Sequence, residues 1–153
     1  MLSSKHMKMF IASDHRGIAL KDGLLTFLKK QGLEATDLTP TPNTDGSIDF
    51  PLVSHNLAKQ VKQENANGIL VCGSGIGVAI AANRFKGIRA ATAHSLQEIA
   101  QAKEHNHVNV LCLGADELSI EKAQSFITTW LETKEDLAER RLRRLQQLDE
   151  YGS

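Results

Sequence analysis

The sequence predicts an α/β fold, a Rossmann-like three-layer α/β/α sandwich around a five-stranded parallel sheet. Five short apolar runs alternate with longer segments that have the periodicity of amphipathic helices. Strands that read as continuous apolar runs are typical of parallel sheets covered by helices on both faces. A chain of 153 residues is long enough to bury one such core, so we expect a single domain over residues 1–153.

The first half of the chain predicts two strands and two helices. Leu20, Leu24 and Leu28 recur on one helix face, and Gly32 is a typical helix end. A segment with two prolines and a glycine can only be a loop. In order, we expect a strand at 9–12, a helix at 18–30, a strand at 34–38, a loop at 39–49 and a helix after Pro51.

The second half continues the alternation. Ser95 with Glu98 three residues later forms a capping box, and Ser119 is a further N-cap. We expect strands at 68–71, 88–92 and 108–113, and helices at 78–85, after Ser95, from Ser119 to about Thr133, and at 135–150. Residues 1–7 are expected to be a flexible extension.

Composition excludes several classes of protein. The formal net charge is zero, so nothing favours nucleic acid or an anionic membrane surface as a partner. No apolar run approaches the roughly 20 residues of a membrane span, and the N-terminus lacks the apolar region of a secretory signal. Cys72 and Cys112 lack the spacing of metal ligands or a redox pair, which indicates a reduced, cytoplasmic protein.

The segment 72–77, Cys-Gly-Ser-Gly-Ile-Gly, joins a predicted strand to a predicted helix. A thiol at a strand end, beside backbone N–H groups and a helix N-terminus, is placed where it can ionise, and those N–H groups can hold an anion. The segment is not a dinucleotide fingerprint, because Val78 stands where the third glycine belongs, and no Gly-Lys-Ser/Thr makes it a P-loop. The alternative is a tight turn with an inert cysteine.

Polar side chains follow several of the predicted strands. Asp14 and His15 follow the first strand, Cys72 ends the third, and His94 follows the fourth. Ligands of parallel α/β sheets bind outside the carboxyl ends of the strands. The sequence therefore predicts a functional site at that edge.

Several motifs in one order resemble those of a known family. Cys72-Gly-Ser-Gly-Ile-Gly77, with 80–84 (Ile-Ala-Ala-Asn-Arg) and 87–90 (Gly-Ile-Arg-Ala), resembles the core signature of sugar-phosphate isomerases of the ribose-5-phosphate isomerase B type. Three further segments match in the same order: 12–15 (Ala-Ser-Asp-His), 49–51 (Asp-Phe-Pro) and 104–106 (Glu-His-Asn). The resemblance covers about residues 9–130, and the last twenty residues match poorly.

The resemblance implies an aldose–ketose isomerase that interconverts D-ribose 5-phosphate and D-ribulose 5-phosphate through an enediolate, without metal or cofactor. Cys72 would be the general base, and His105 the acid that opens the sugar ring. Ser74, where the family most often has threonine, would supply a hydroxyl. The substrate-binding residues would be Asp14, His15, Gly73, Gly75, Ile76, Gly77, Asn106, Arg140 and Arg144. Asp14 could equally cap the first helix.

Two departures from the family affect the expected phosphate site. Asp116 stands where family members usually have arginine, and a carboxylate cannot replace that contact. The family's C-terminal Gly-Gly-Arg-His turn is also absent. Arg140 and Arg144 match the family's arginine spacing if one residue is inserted, and Arg143 could replace either; the alternative is a solvated helix paired with neighbouring acids. Arg16 is a further candidate for the missing charge.

The resemblance also implies a homodimer or tetramer whose active sites combine residues of two subunits. Galactose-6-phosphate isomerase is a near alternative, but it divides its catalytic residues between two different subunits, whereas this chain carries both motifs. Allose 6-phosphate is another possible substrate. An alternative that is not an enzyme is a non-catalytic sensor that binds a sugar phosphate or a nucleotide. Asp116 is the one residue that favours it. We assign no role to Cys112, His6, His55 or His107.

Overall fold

A computed structural model describes residues 7–152 and contains one parallel sheet with helices on both faces. The strands are β1 (Met9–Ser13), β2 (Ala35–Asp37), β3 (Asn67–Cys72), β4 (Ala90–Thr92) and β5 (Val110–Gly114), in the spatial order β2-β1-β3-β5-β4. The helices are α1 (Ile18–Lys30), α2 (Phe50–Glu64), α3 (Ile76–Ala82), α4 (Leu96–Asn106), α5 (Ile120–Glu132) and α6 (Glu139–Tyr151). The predicted α/β sandwich is confirmed.

Alternate residues of the central strands β1, β3 and β5 face two separate cores. On one face, Ile69 and Leu111 pack with α1, α4 and α5, where Trp130 and Phe126 are the largest buried side chains. On the other face, Leu70 and Cys112 pack with α2 and α3. Both faces of the central strands are therefore apolar, as the continuous apolar runs in the sequence require.

The parallel register defines two edges of the sheet. Ser13 lies opposite Val71 and Cys72 lies opposite Gly114, so these residues mark the edge at which strands end, here called the carboxyl edge. Gly68 lies opposite Val110 near the start of both strands, at the amino edge. The strand order reverses at β1, because β2 lies on one side of it and β3 on the other, and the crevice outside the carboxyl ends of β1 and β3 is the usual ligand site of such sheets.

Helix caps follow the sequence closely. Ser95 and Ser119 accept the backbone N–H groups of Glu98 and Lys122, as expected of N-caps. The capping box differs in one bond, because the Glu98 carboxylate accepts from His94 N rather than from the cap residue itself. Gly32, with a φ of 78°, follows α1 as predicted.

Several boundaries differ from the prediction: α3 begins at Ile76 instead of 78, and β5 begins at Val110 instead of 108. Three further differences have identifiable causes. α6 begins at Glu139 instead of 135, because the Asp136 carboxylate accepts Ala138 N and the Asp136 N–H donates to Glu104 O, which keeps this stretch out of a helix. α3 ends at Ala82 and β4 starts only at Ala90.

The cause of these last two differences is Asn83. Its side chain donates to the Ala90 carbonyl and accepts from the Ala90 N–H, both at 2.8 Å, and so closes the connection between α3 and β4. Of the expected N-terminal extension, residues 1–6 lie outside the described residues, and Met7 packs against the core on the α1 face. Across residues 7–152, no helix combines the length and the apolar character needed to cross a membrane.

Candidate active site

Cys72 ends β3 at the carboxyl edge, and its side chain is 5% exposed. Its Sγ accepts the backbone N–H of Gly75 at 3.1 Å, which fixes the direction of the sulfur. Gly75 has a φ of 78° and is the N-cap of α3, so the chain turns from strand to helix within three residues. The segment 72–77, here called the Cys72 loop, therefore curls around the thiol.

The Cys72 loop is joined to the end of β5 by backbone contacts. Ala115 N and Asp116 N donate to the carbonyls of Cys72 and Gly73 at 2.8 and 2.9 Å. A Cβ atom on Gly114 would lie 2.6 Å from the Ser74 carbonyl oxygen, so no larger residue fits there. These contacts make the loop a rigid part of the sheet edge, as a preorganised site requires.

The sequence predicts that backbone N–H groups of the loop bind an anion at Gly73, Gly75, Ile76 and Gly77. Some of these N–H groups already donate hydrogen bonds within the protein. Gly75 N donates to sulfur, and Ile76 N donates to the Ser74 hydroxyl at 3.1 Å. The Ser74 side chain is exposed and lies over the start of α3. A substrate oxygen would therefore bind beside hydrogen bonds that the loop already makes. Anion binding by the loop stays a prediction.

The turn between β1 and α1 lies next to the Cys72 loop. Asp14 is buried, and its Oδ1 accepts the N–H groups of Arg16 and Gly17 at 2.9 and 3.2 Å. It therefore closes the turn before α1, but the N-cap of α1 is Gly17 and no side chain caps the helix, so the alternative of Asp14 as the helix cap is wrong. His15 is exposed, and its Nδ1 lies 3.1 Å from the Ile48 N–H nitrogen and 3.4 Å from the Ile48 carbonyl oxygen, so the loop before α2 holds the ring. Both residues thus lie where the sequence predicts them.

The other predicted residues gather at the amino edge. His105 and Asn106 end α4, and with Arg144 they line a cavity of about 400 Å³ beside α6. Arg141, which the sequence reading did not single out for this site, lines the same cavity. Arg140 pairs with Asp136 at 3.5 Å instead, and its role in phosphate binding stays a prediction.

A group of side chains missed by the sequence reading fixes α6 beside that cavity. His107, taken there as a surface histidine, is buried and donates from Nε2 to the Asp136 carbonyl at 2.9 Å. The Ala138 N–H bond, followed by the Arg141 guanidinium, holds the pKa of Asp136 below its usual value. Lys103 pairs with Glu135 at 3.0 Å. No local pattern of the sequence signals this role of His107, which is the C-cap of α4 with a φ of 47°.

The two groups of predicted residues lie at opposite edges of the sheet. α4 connects the carboxyl end of β4 to the amino end of β5, so its C-terminal residues lie near Asn109, whose carbonyl accepts Gly68 N. Gly68 and Cys72 are four residues apart on β3, a separation of about 13 Å. The structure therefore does not bring His105 and Asn106 to Cys72 within one chain.

Cys112 differs from Cys72 in its surroundings. It is fully buried between strands and helices on the α2 and α3 face, and burial, followed by the nearby Cys72, strongly raises the pKa of its thiol. It has the environment of an inert core cysteine, as the sequence indicates.

Two further surfaces flank the Cys72 loop. Large apolar side chains are exposed on the two packed helices α2 and α3: Ile76 and Ile80 on α3, 56% and 63% exposed, and Phe50 and Leu52 in the first turn of α2. The Phe50 ring lies 3.2 Å from where a Cβ on Gly77 would stand, so this apolar patch adjoins the loop. On the other side, Ser74 and His94 line a separate cavity of about 250 Å³.

Comparison with known proteins gives consistent matches over nearly the whole chain. A family model described as Ribose/Galactose Isomerase matches residues 9–148. A D-erythrulose-4-phosphate isomerase of Pectobacterium atrosepticum is 35% identical over 129 residues, 84% of each chain. A ribose-5-P isomerase B of Listeria innocua is 36% identical over 128 residues, 83% of this chain and 85% of the relative.

Solved structures of proteins in this family also match the chain. The ribose-5-phosphate isomerase B of Mycoplasma genitalium, crystallised with bound ribulose-5-phosphate, superposes with a TM-score of 0.87 at 34% identity. The match covers 95% of this chain and 97% of that one.

Proposed function

The chain belongs to the ribose/galactose isomerase family, and from that premise we propose that it interconverts D-ribose 5-phosphate and D-ribulose 5-phosphate. The observation that carries the proposal is the Cys72 sulfur, held by a glycine-rich loop at the carboxyl edge beside Asp14 and His15. The reaction belongs to the non-oxidative pentose phosphate pathway. The two free cysteines fit a cytoplasmic enzyme.

Cys72 acts as the general base in this proposal. The thiolate removes the proton from C2 of the open-chain aldose, and the electrons of that C–H bond form the C1–C2 double bond of the enediolate. The electrons of the C1=O double bond move onto O1 at the same time. When the hydroxyl proton passes from O2 to O1 and the proton held by Cys72 returns to C1, the product is the ketose. Backbone N–H groups of the Cys72 loop and the Ser74 hydroxyl stabilise the oxygen that becomes negative in between.

The residues at the amino edge complete the site from a second subunit. His105 exchanges a proton with the ring oxygen and so opens the cyclic aldose, while Asn106 and Asp14 hold sugar hydroxyls. Arg144, Arg140 and the neighbouring Arg141 supply positive charge for the phosphate dianion, with His15 beside it. Supporting this assignment, His105, Asn106 and Arg144 line one cavity.

A homodimer follows from the separation of the two groups. In a two-fold dimer, the carboxyl edge of each chain can meet the amino edge of its partner, so each contact makes one complete site. The apolar patch of Phe50, Leu52, Ile76 and Ile80 next to the Cys72 loop is the kind of surface that a subunit interface covers. A tetramer would be two such dimers.

A four-carbon substrate is the second candidate, because the relative in Pectobacterium atrosepticum is named a D-erythrulose-4-phosphate isomerase. An isomerase assay that follows the formation of each ketose phosphate from its aldose separates the two. We expect a higher kcat/KM for ribose 5-phosphate than for erythrose 4-phosphate. A reversed preference would replace the substrate proposed here, and binding without turnover of either sugar would favour the non-catalytic sensor.

A further inference from the structure

Arg16 reaches from the β1–α1 turn across the mouth of the Cys72 loop. A Cβ atom on Gly73 would lie 2.7 Å from Cζ of Arg16, so the guanidinium rests directly on the first glycine of the loop. The Arg16 backbone N–H donates to Asp14 Oδ1 at 2.9 Å, which fixes the start of the side chain. The guanidinium therefore has a defined position in contact with the proposed catalytic loop.

Asp116 holds the other end of the side chain. Nη2 of Arg16 donates to Oδ2 of Asp116 at 2.5 Å. The Asp116 backbone N–H donates to the Gly73 carbonyl at 2.9 Å, so this carboxylate is attached to the same loop that the guanidinium covers. The two side chains are 57% and 42% exposed, and an ion pair so exposed adds little stability. Its main effect is to orient the guanidinium.

The ion pair leaves most of the guanidinium available. A guanidinium has five N–H donors in a planar fork, and Asp116 uses one of them. Cζ, Nη1 and Nε lie at nearly equal distances of 2.7, 2.8 and 2.9 Å from where a Cβ on Gly73 would stand, so the flat face of the guanidinium covers the loop and its N–H donors point sideways along the loop surface. Such a fork binds two oxygens of a phosphate group in parallel, which a single ammonium cannot do.

We propose that Arg16 binds the phosphate of the substrate and that Asp116 is its positioning residue. This inference rests on the isomerase function proposed above and adds to it a phosphate contact from the β1–α1 turn. By the family resemblance, Asp116 replaces an arginine that would contact the phosphate. In this proposal Asp116 instead positions a guanidinium that the β1–α1 turn supplies. The phosphate would lie between Arg16 of one chain and the α6 arginines of its partner.

The test measures phosphate binding separately from turnover. For Arg16→Ala we expect the KM for ribose 5-phosphate and the Kd for inorganic phosphate, followed by phosphorus NMR titration, to rise roughly 10- to 100-fold. We expect kcat to fall less than about threefold, because the reacting carbons are not touched. Lys62→Ala removes the same unit of charge from the exposed face of α2 and should change none of these values.

An exchange of the two residues sharpens the test. Arg16→Asp leaves two carboxylates side by side and should weaken phosphate binding at least as much as Arg16→Ala. Adding Asp116→Arg restores the pair with the guanidinium on the β5–α5 loop, and we expect it to recover at least about tenfold of the lost affinity. Asp116→Asn should raise KM only a few-fold, because the Arg16 guanidinium remains available for binding but loses the carboxylate that orients it.

Unchanged phosphate affinity in Arg16→Ala, within about twofold, would overturn the assignment, as would no recovery in the exchanged variant. If the wild-type protein turns over neither sugar phosphate, the isomerase proposal fails by itself. The phosphate titration still decides the role of Arg16 in that case, because it needs no turnover.

Discussion

Cys72 and His105 lie at opposite edges of the same parallel sheet. Cys72 ends β3 at the carboxyl edge, and His105 is in the last turn of α4, which leads to the amino end of β5. A site that needs both residues must therefore be assembled from two chains. In that case activity would require dimerisation.

Cys72→Ala should reduce turnover of ribose 5-phosphate by about 10²–10⁴-fold, because the proposed general base is removed. Cys112→Ala is the matched control, since the second thiol is buried and inert, and it should cost some stability but little turnover. Both variants are compared by steady-state kinetics after circular dichroism has confirmed folding. Near-normal turnover of Cys72→Ala would remove the thiol from the mechanism.

His105→Ala should separate ring opening from proton transfer. Overall isomerisation of the cyclic aldose should fall, whereas exchange of the C1 proton of ribulose 5-phosphate with solvent, which needs no ring, should be spared. Proton NMR in D2O measures that exchange, and Gln101→Ala on the exposed side of the same helix is the control. If exchange is lost together with turnover, His105 is not simply a ring-opening acid.

Ile80→Glu places a charge in the exposed apolar patch and should convert the proposed dimer into a folded monomer, because a buried unpaired charge opposes association. Activity should disappear with the dimer, since a monomer has no complete site. Light scattering after size-exclusion chromatography gives the mass. Lys29→Glu, on the opposite face of the sheet, should stay dimeric and active, and an active monomeric Ile80→Glu would contradict the composite site.

Asp136→Asn should weaken the attachment of α6 in a pH-dependent way. The pKa of the Asp136 carboxyl is lowered in the folded protein, so its stabilisation is full above its ordinary pKa near 4 and is lost as the pH falls through the folded value. The variant should therefore unfold at lower urea concentration than wild type at about pH 7, with the difference shrinking below about pH 3. Glu132→Gln, exposed on α5, should match wild type at both pH values, and a difference that grows on acidification would refute this role.

Much of the fold could be predicted from the sequence because its signals are local. Apolar runs, the leucines of α1, and the caps Ser95 and Ser119 act over a few residues, and the structure places all of them as expected. The start of α6 was wrong because it depends on Asp136 contacting Glu104, thirty-two residues earlier, and no local pattern encodes that bond.

The candidate site was predictable only in part, for the same reason. Asp14, His15 and Cys72 follow strand ends, so the topology alone brings them together. The pairing of Arg16 with Asp116 joins residues one hundred positions apart, and the anchoring of α6 by His107 depends on a buried environment. Neither is visible in a motif, because each is a contact between distant segments.

The measurement that tests the composite site most directly mixes Cys72→Ala with Arg144→Ala. Activity is measured at a ribose 5-phosphate concentration well below the wild-type KM, where the loss of either the general base or a phosphate-binding arginine should leave little activity. The two variants are unfolded and refolded together in equal amounts. Random pairing makes about half of the dimers mixed, each with one intact site, so about a quarter of wild-type activity should return.

Cys72→Ala mixed with Asp14→Asn is the control, because both changes lie at the carboxyl edge and every site would still lack one group. The account predicts about a quarter of the activity for the first mixture and none for the second. No recovery in the first mixture, from variants that are folded and dimeric, would show that Cys72 and Arg144 serve the same subunit and would contradict a site shared between two chains.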